Sequence, residues 1–209
     1  MKHIRAILLG SVIVLCTSCG TEPQSKNPAG ETSNPVTENI MSRRSIRKYK
    51  PVPISRDQME AILESGIHAP NGQGWQSWEV RIVDNQEFLN GLSAVYHRKN
   101  SQGGGNGRNL FYGAPVVAFI AYDTTYDLSQ VDCGLFGENM ILSAWSVGIG
   151  SCCLGGPARF ITGDPDAAEY LKKLDFPDTH RLLYCIAFGI PDEAPAAKPR
   201  KRTNVRYID

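Results

Sequence analysis

The stretch from Ala114 to Tyr122 limits the fold more than any other. After Pro115 it is almost wholly apolar and rich in β-prone residues, so it reads as a strand with no wet face. Such a strand needs cover above and below. The segment from about Ser129 to Val147 is the second strongly apolar element. It reads as a long helix, apolar nearly all round at Val131, Leu135, Met140, Ile141, Leu142 and Trp145. A helix of that kind is buried in a large core or at a subunit interface. Gly134 and Gly137 weaken it, which implies that another backbone or ring approaches closely there.

The remaining pattern fills in around these two elements. Ser55-x-x-Gln58 is a capping-box signature, and Met59, Ile62, Leu63 and Ile67 follow at helical spacing up to Pro70. Trp78, Val80 and Ile82 alternate with Glu79 and Arg81, which predicts a strand with one covered face. Phe88, Leu89, Leu92 and Val95 predict a second helix. The glycine-rich loop between Asn100 and Asn109 lacks the Lys-Ser/Thr of a nucleotide P-loop, so its glycines signal mobility rather than phosphate binding. Gly148 to Ser151 closes the long helix and leads through Cys152 and Cys153 to Gly155, Gly156 and Pro157. A short helix from about Asp166 to Leu174 and a third strand from Leu182 to Phe188 follow. Beyond Asp192 the chain reads as extended. The irregular succession of helices and strands predicts an α+β fold rather than a doubly wound sheet.

A chain of 209 residues supports one domain with a sizeable core. Its net charge of +1 argues against nucleic acid as the main partner. Lys2 and Arg5 precede an apolar run, Ile7 to Leu15, too short to cross a bilayer; residues 1–18 read as an export signal. Removing Lys2 and Arg5 from the 22 basic residues leaves 20 against 21 acidic, a net of −1. Leu15-Cys16-Thr17-Ser18-Cys19 resembles a bacterial lipoprotein cleavage box with Cys19 as the lipidated residue; ordinary signal cleavage or an uncleaved anchor is the alternative. Gly20 to Pro35 is polar and without large apolar side chains; residues 19–36 read as a tether, and residues 37–209 as the domain. The expected location is therefore outside the cytoplasm, on the periplasmic side or cell surface, held to a membrane by lipid. Cys133, Cys152, Cys153 and Cys185 lack a disulfide-framework or zinc-like spacing and read as buried thiols.

Arg43-Arg44-Ser45-Ile46-Arg47-Lys48 packs four cations and a hydroxyl into six residues. The plain reading is a solvated basic turn. The chemical one is a phosphate grip, since arginine offers bidentate charge-assisted bonds and serine a further donor. Arg43 and Ser45, two apart in an extended segment, point the same way. Lys198 and Arg200, also two apart, either reach the same anion from the other end of the chain or belong to a free charged tail.

Several motifs then occur in one order: Arg43-Arg44-Ser45-Ile46-Arg47; Ala69-Pro70-Asn71-Gly72 with Gln76 and Trp78; Asp132 to Gly150; Gly189-Ile190-Pro191; and Lys198-Pro199-Arg200. From about Ile40 to Lys201 the chain resembles the nitroreductase family of FMN-dependent oxidoreductases. Gly74 stands where that family usually has Asn, and Ser77 where it has Pro. The resemblance implies an α+β homodimer with a central, mostly antiparallel sheet surrounded by helices and flavin sites at the subunit interface. It implies that Arg43, Arg44, Ser45, Arg47, Lys198 and Arg200 hold FMN, with Arg47 near the N1/C2-carbonyl edge of the ring. Asn71 and Gln76 would contact the ring, and Gly155 and Gly156 would form the loop at flavin N5. No side chain need act as nucleophile or base, because NAD(P)H gives hydride to the flavin and the flavin gives it to a nitroaromatic, quinone-like or similar acceptor. Two alternatives remain open: a membrane-tethered flavin-binding protein without turnover, and a dehalogenase-like or BluB-like branch of the same fold.

Overall fold

The computed structural model describes residues 34–100 and 109–208. The stretch read as an export signal, Cys19, the stretch read as a tether up to residue 33, and residues 101–108 of the glycine-rich loop lie outside the described residues. A compact unit spans Val36–Asp209.

Four strands, β1 (Trp78–Val83), β2 (Val116–Asp123), β3 (Gly150–Leu154) and β4 (His180–Gly189), form one antiparallel sheet in the order β1-β2-β4-β3. Strand β2 is central, and its first six residues are buried. Its side chains alternate between two cores. Val117 and Phe119 face one that includes Leu89 and Leu92 from helix α3 (Gln86–Asn100) and Ala158 and Ile161 from α5 (Gly155–Gly163). Val116, Ala118 and Ile120 face another, with Met59 and Ile62 from α2 (Arg56–Ile67) and Phe136 and Met140 from α4 (Ser129–Ser146). The sheet is therefore the middle layer of an α+β fold, as the apolar run at 114–122 predicts.

Local signals explain the start of α2. Ser55 accepts from the Gln58 N–H at 3.2 Å while the Gln58 side chain accepts from the Ser55 N–H at 3.0 Å, closing the capping box. In helix α4 the apolar residues divide into two sets. Phe136, Met140 and Ala144 are fully covered, but Val131 is 56% exposed and Leu135 39%. Within one chain only one side of this apolar helix is buried. Its two glycines also separate in role. A Cβ on Gly137 would stand 2.0 Å from the Tyr184 hydroxyl, whereas one on Gly134 would meet nothing within 4 Å.

Three further elements, α1 (Pro35–Ser42), β3 and α5, depart from the sequence reading. Helix α1 lies at the border of the stretch read as tether and has no buried residue. Strand β3 is Gly-Ser-Cys-Cys-Leu, without a β-branched residue, and is made a strand by its pairing to β4. Gly155 and Gly156 are not in a loop but open α5. Pro157 is compatible with that position, because first-turn N–H groups have no intrahelical partner to lose. Helix α6 (Ala168–Lys173) corresponds to the short helix expected near Asp166.

Gly137→Ala forces the Tyr184 phenol, which donates to the Cys133 carbonyl at 2.6 Å, out of place. We expect a destabilisation of about 1–3 kcal/mol by urea unfolding, with a loss far smaller than that, or none, for Gly134→Ala.

Candidate functional site

The basic stretch after α1 is fixed by the sheet's open end. Ile46, 1% exposed, donates its N–H to the Ser151 carbonyl at 2.9 Å, and Ser45 and Ser151 form a parallel bridge. Two residues on, the pairing switches to the chain leaving β4. Lys50 donates to the Ile190 carbonyl at 2.9 Å, and Asp192 donates to Lys48 at the same distance. Tyr49 lies over Gly189, where a Cβ would be 2.5 Å from its ring, and donates to the Ile46 carbonyl at 2.7 Å. Burial pushes this phenol well above its ordinary pKa. The segment is thus a short ribbon clamped between β3 and the end of β4.

Clamping in extended form sends Arg43, Ser45 and Arg47 to one cleft of about 210 Å³, which Arg44, Lys198 and Arg200 also line. Five cations and no acid line it. Arg44 is partly committed, donating to the Met41 and Arg43 carbonyls at 2.8 Å each. Arg43 has a buried Nε with no partner among the described residues. A buried guanidinium donor without an acceptor, beside a serine hydroxyl and four more cations, suits a phosphate-sized anion.

Arg47 also lines a second cleft of about 400 Å³, together with Tyr96, Tyr112, Cys153, Gly155 and Gly156. The two clefts therefore share a wall. Helix α5 begins at the second one without a side-chain cap, so its first N–H groups are free to meet a polar ligand edge. A Cβ on Gly156 would touch nothing within 4 Å, and one on Gly155 only Arg159 at 3.7 Å. These glycines leave the cleft wall bare rather than easing a packing clash. Sequence reasoning missed the aromatic wall. Tyr112 has φ +59°, held there by the Asn109 side chain, which accepts from the Phe111 and Gly113 N–H groups at 2.9 and 3.1 Å. The Asn109-x-x-x-Gly113 spacing was a readable turn signal.

Residues 40–190 match the model of the nitroreductase family. The chain belongs to that family. It is 28% identical over 187 residues to the NADPH-flavin oxidoreductase of Vibrio harveyi, covering 82% of this chain and 72% of the relative. Among solved structures it resembles a nitroreductase with bound FMN from Bacteroides fragilis NCTC 9343, with a TM-score of 0.75, 28% identity and coverage of 85% of this chain and 100% of that one. A nitroreductase with bound FMN from Desulfitobacterium hafniense DCB-2 gives a TM-score of 0.74 at 26% identity, over 85% of this chain and 100% of that one.

Asn71 and Gln76 of this nitroreductase-family chain line neither cleft. They sit in the turn between α2 and β1, where the Asn71 side chain accepts from the Gln76 N–H at 3.1 Å. Gln73, Gly74 and Gln76 all have positive φ there. Asp132, 2% exposed, holds the turn by accepting from the Gly72 N–H at 2.9 Å and the Ser77 hydroxyl at 2.8 Å. The two departures from the family pattern thus have local explanations: Gly74 takes a left-handed conformation, and Ser77 supplies a hydroxyl to a buried carboxylate.

The four cysteines among the described residues are free thiols. Cys133, Cys152 and Cys185 are buried, and burial pushes the Cys133 thiol up to about 12. Cys153 is the correction: it is exposed, because β3 is an edge strand and Cys153 faces away from the core that holds Cys152. Mass-spectrometric mapping after brief treatment of the folded protein with a maleimide should find Cys153 modified before Cys133, Cys152 and Cys185.

Proposed function

We propose that this protein is an FMN-dependent NAD(P)H oxidoreductase that reduces nitroaromatic, quinone-like or similar electron-poor acceptors. The observation that carries the reading is a five-cation cleft and an aromatic-walled cleft that share Arg47 as a lining residue. That pair of spaces matches a phosphate joined to a planar ring, and the names of the relatives point to the same chemistry. Bound FMN would supply the two-electron redox chemistry, taking hydride from the nicotinamide and passing it to the acceptor.

The chain's own residues bind and tune. Arg43, Ser45, Lys198 and Arg200 hold the phosphate, and Arg44 adds field while its Nη1 remains on backbone carbonyls. Arg47, shared by both clefts, places a cation where the ring gains negative charge, which favours the reduced state. The uncapped start of α5 offers backbone donors to the ring edge, and Tyr96 and Tyr112 limit water. A homodimer completes the site in this reading. The uncovered side of α4, with Val131 and Leu135, serves as contact surface, and Asn71 and Gln76 reach the flavin of the second copy. Export and lipid attachment at Cys19 belong to the same proposal.

The leader also favours a second reading. A domain held outside the cytoplasm meets little free NAD(P)H, so a tethered flavin carrier without nicotinamide turnover fits the same cleft. One absorption experiment separates them. The purified protein loads with FMN, and NADPH or NADH bleaches the flavin band, which returns on addition of a nitroaromatic or quinone. A loaded protein that neither nucleotide bleaches is the carrier; a protein that cannot be loaded refutes both. Arg43→Ala should weaken FMN about ten- to a hundredfold, the cost of one charge-assisted contact, while leaving riboflavin affinity unchanged.

A further inference from the structure

Glu193 has the wrong sign for its surroundings. It precedes a tail whose Lys198 and Arg200 line the anion cleft, and its neighbour across the ribbon is Arg47 of the same cleft. An acid beside a dianion site is unfavourable unless it does something else, and the geometry shows what that is. Two backbone rungs, Lys50 N–H to Ile190 and Asp192 N–H to Lys48, run the ribbon along the chain leaving β4. Beside these rungs, the Arg47 N–H donates to the Glu193 carboxylate. The side chain thus adds a third tie, one residue beyond the last backbone rung on each strand. Past this point, no backbone hydrogen bond among the described residues ties 194–200 to the rest of the molecule. Glu193 is the last fixed point before the two tail cations.

We propose that Glu193 is a positioning residue for the anion cleft: by accepting from the Arg47 N–H it sets the point from which Pro195 to Arg200 carry Lys198 and Arg200 across to Arg43 and Ser45. The anchor requires an acceptor at this position, not a charge. The proposal rests on the flavin reading for the identity of the anion and on nothing but the ribbon for the anchoring itself.

Two arms test it on the whole protein. The first uses no ligand: trypsin cleavage at Arg200 to Arg206 is timed by mass spectrometry for the wild type, Glu193→Gln and Glu193→Ala. The expected result is faster tail cleavage in Glu193→Ala alone, with far-UV circular dichroism unchanged. Equal rates in all three, or a Gln variant as fast as the Ala variant, would overturn the anchoring. The second arm titrates FMN and riboflavin. Glu193→Ala should weaken FMN about tenfold, Glu193→Gln less than about twofold, and neither should alter riboflavin. In a Lys198→Ala/Arg200→Ala background the Glu193→Ala substitution should add nothing, since the cations it positions are gone. Full additivity, or equal loss of FMN and riboflavin, would overturn the link between anchor and cleft. A tail released in the first arm with no FMN bound by any variant upholds the anchor and refutes the flavin reading.

Discussion

The site depends on one ribbon of backbone hydrogen bonds. Ile46 to Ser151 ties the basic stretch to the edge strand β3, and Lys50 to Ile190 with Asp192 to Lys48 tie it to the chain leaving β4. Strands β3 and β4 are neighbours, so both attachments lie at the same end of the sheet. The ribbon is built from amide groups that would otherwise lack partners at the sheet's end, and that requirement is as strong as the hydrophobic one that buries Ile46. The polar side chains of the basic stretch inherit their placement from this. Arg43, Ser45 and Arg47 face one cleft because the backbone between them is extended and held on both sides.

The electrostatics follow from topology. Five cations around about 210 Å³ repel one another, and they are brought together by covalent and backbone constraints rather than by mutual attraction. An anion relieves that repulsion, so the cleft is preloaded for negative charge, and the unpartnered Nε of Arg43 adds an unmet donor. At the second cleft the polarity is gentler, supplied by the uncapped start of α5 and the shared Arg47. The gradient from concentrated to diffuse positive charge distinguishes the two ends of whatever binds across them.

Much of this was legible in the sequence, for physical reasons that can be named. Strand β2 was readable because burial on both faces leaves no polar residue to confuse the pattern. Helix α2 was readable because capping is local chemistry. Strand β3 and helix α5 were not. Gly-Ser-Cys-Cys-Leu and Gly-Gly-Pro have weak intrinsic preferences, and their states are set by β4, a partner far away in sequence. Arg43, Ser45, Lys198 and Arg200 could be named as a set from residue type and family motif. Their convergence could not be derived from spacing, because it depends on the ribbon. Tyr112 was hidden for a third reason: its role comes from a left-handed backbone imposed by Asn109.

The cleft joins residues from opposite ends of the domain, Arg43 and Arg200. An anion seated there therefore works as a removable staple across nearly the whole chain. Like a crosslink it restricts long-range separation, but its strength is set by concentration: about 2.7 kcal/mol at a hundredfold excess over Kd. Trimming the tail would remove one arm of the staple while leaving the sheet untouched. How well the folded domain persists is then a property of its surroundings as much as of its core.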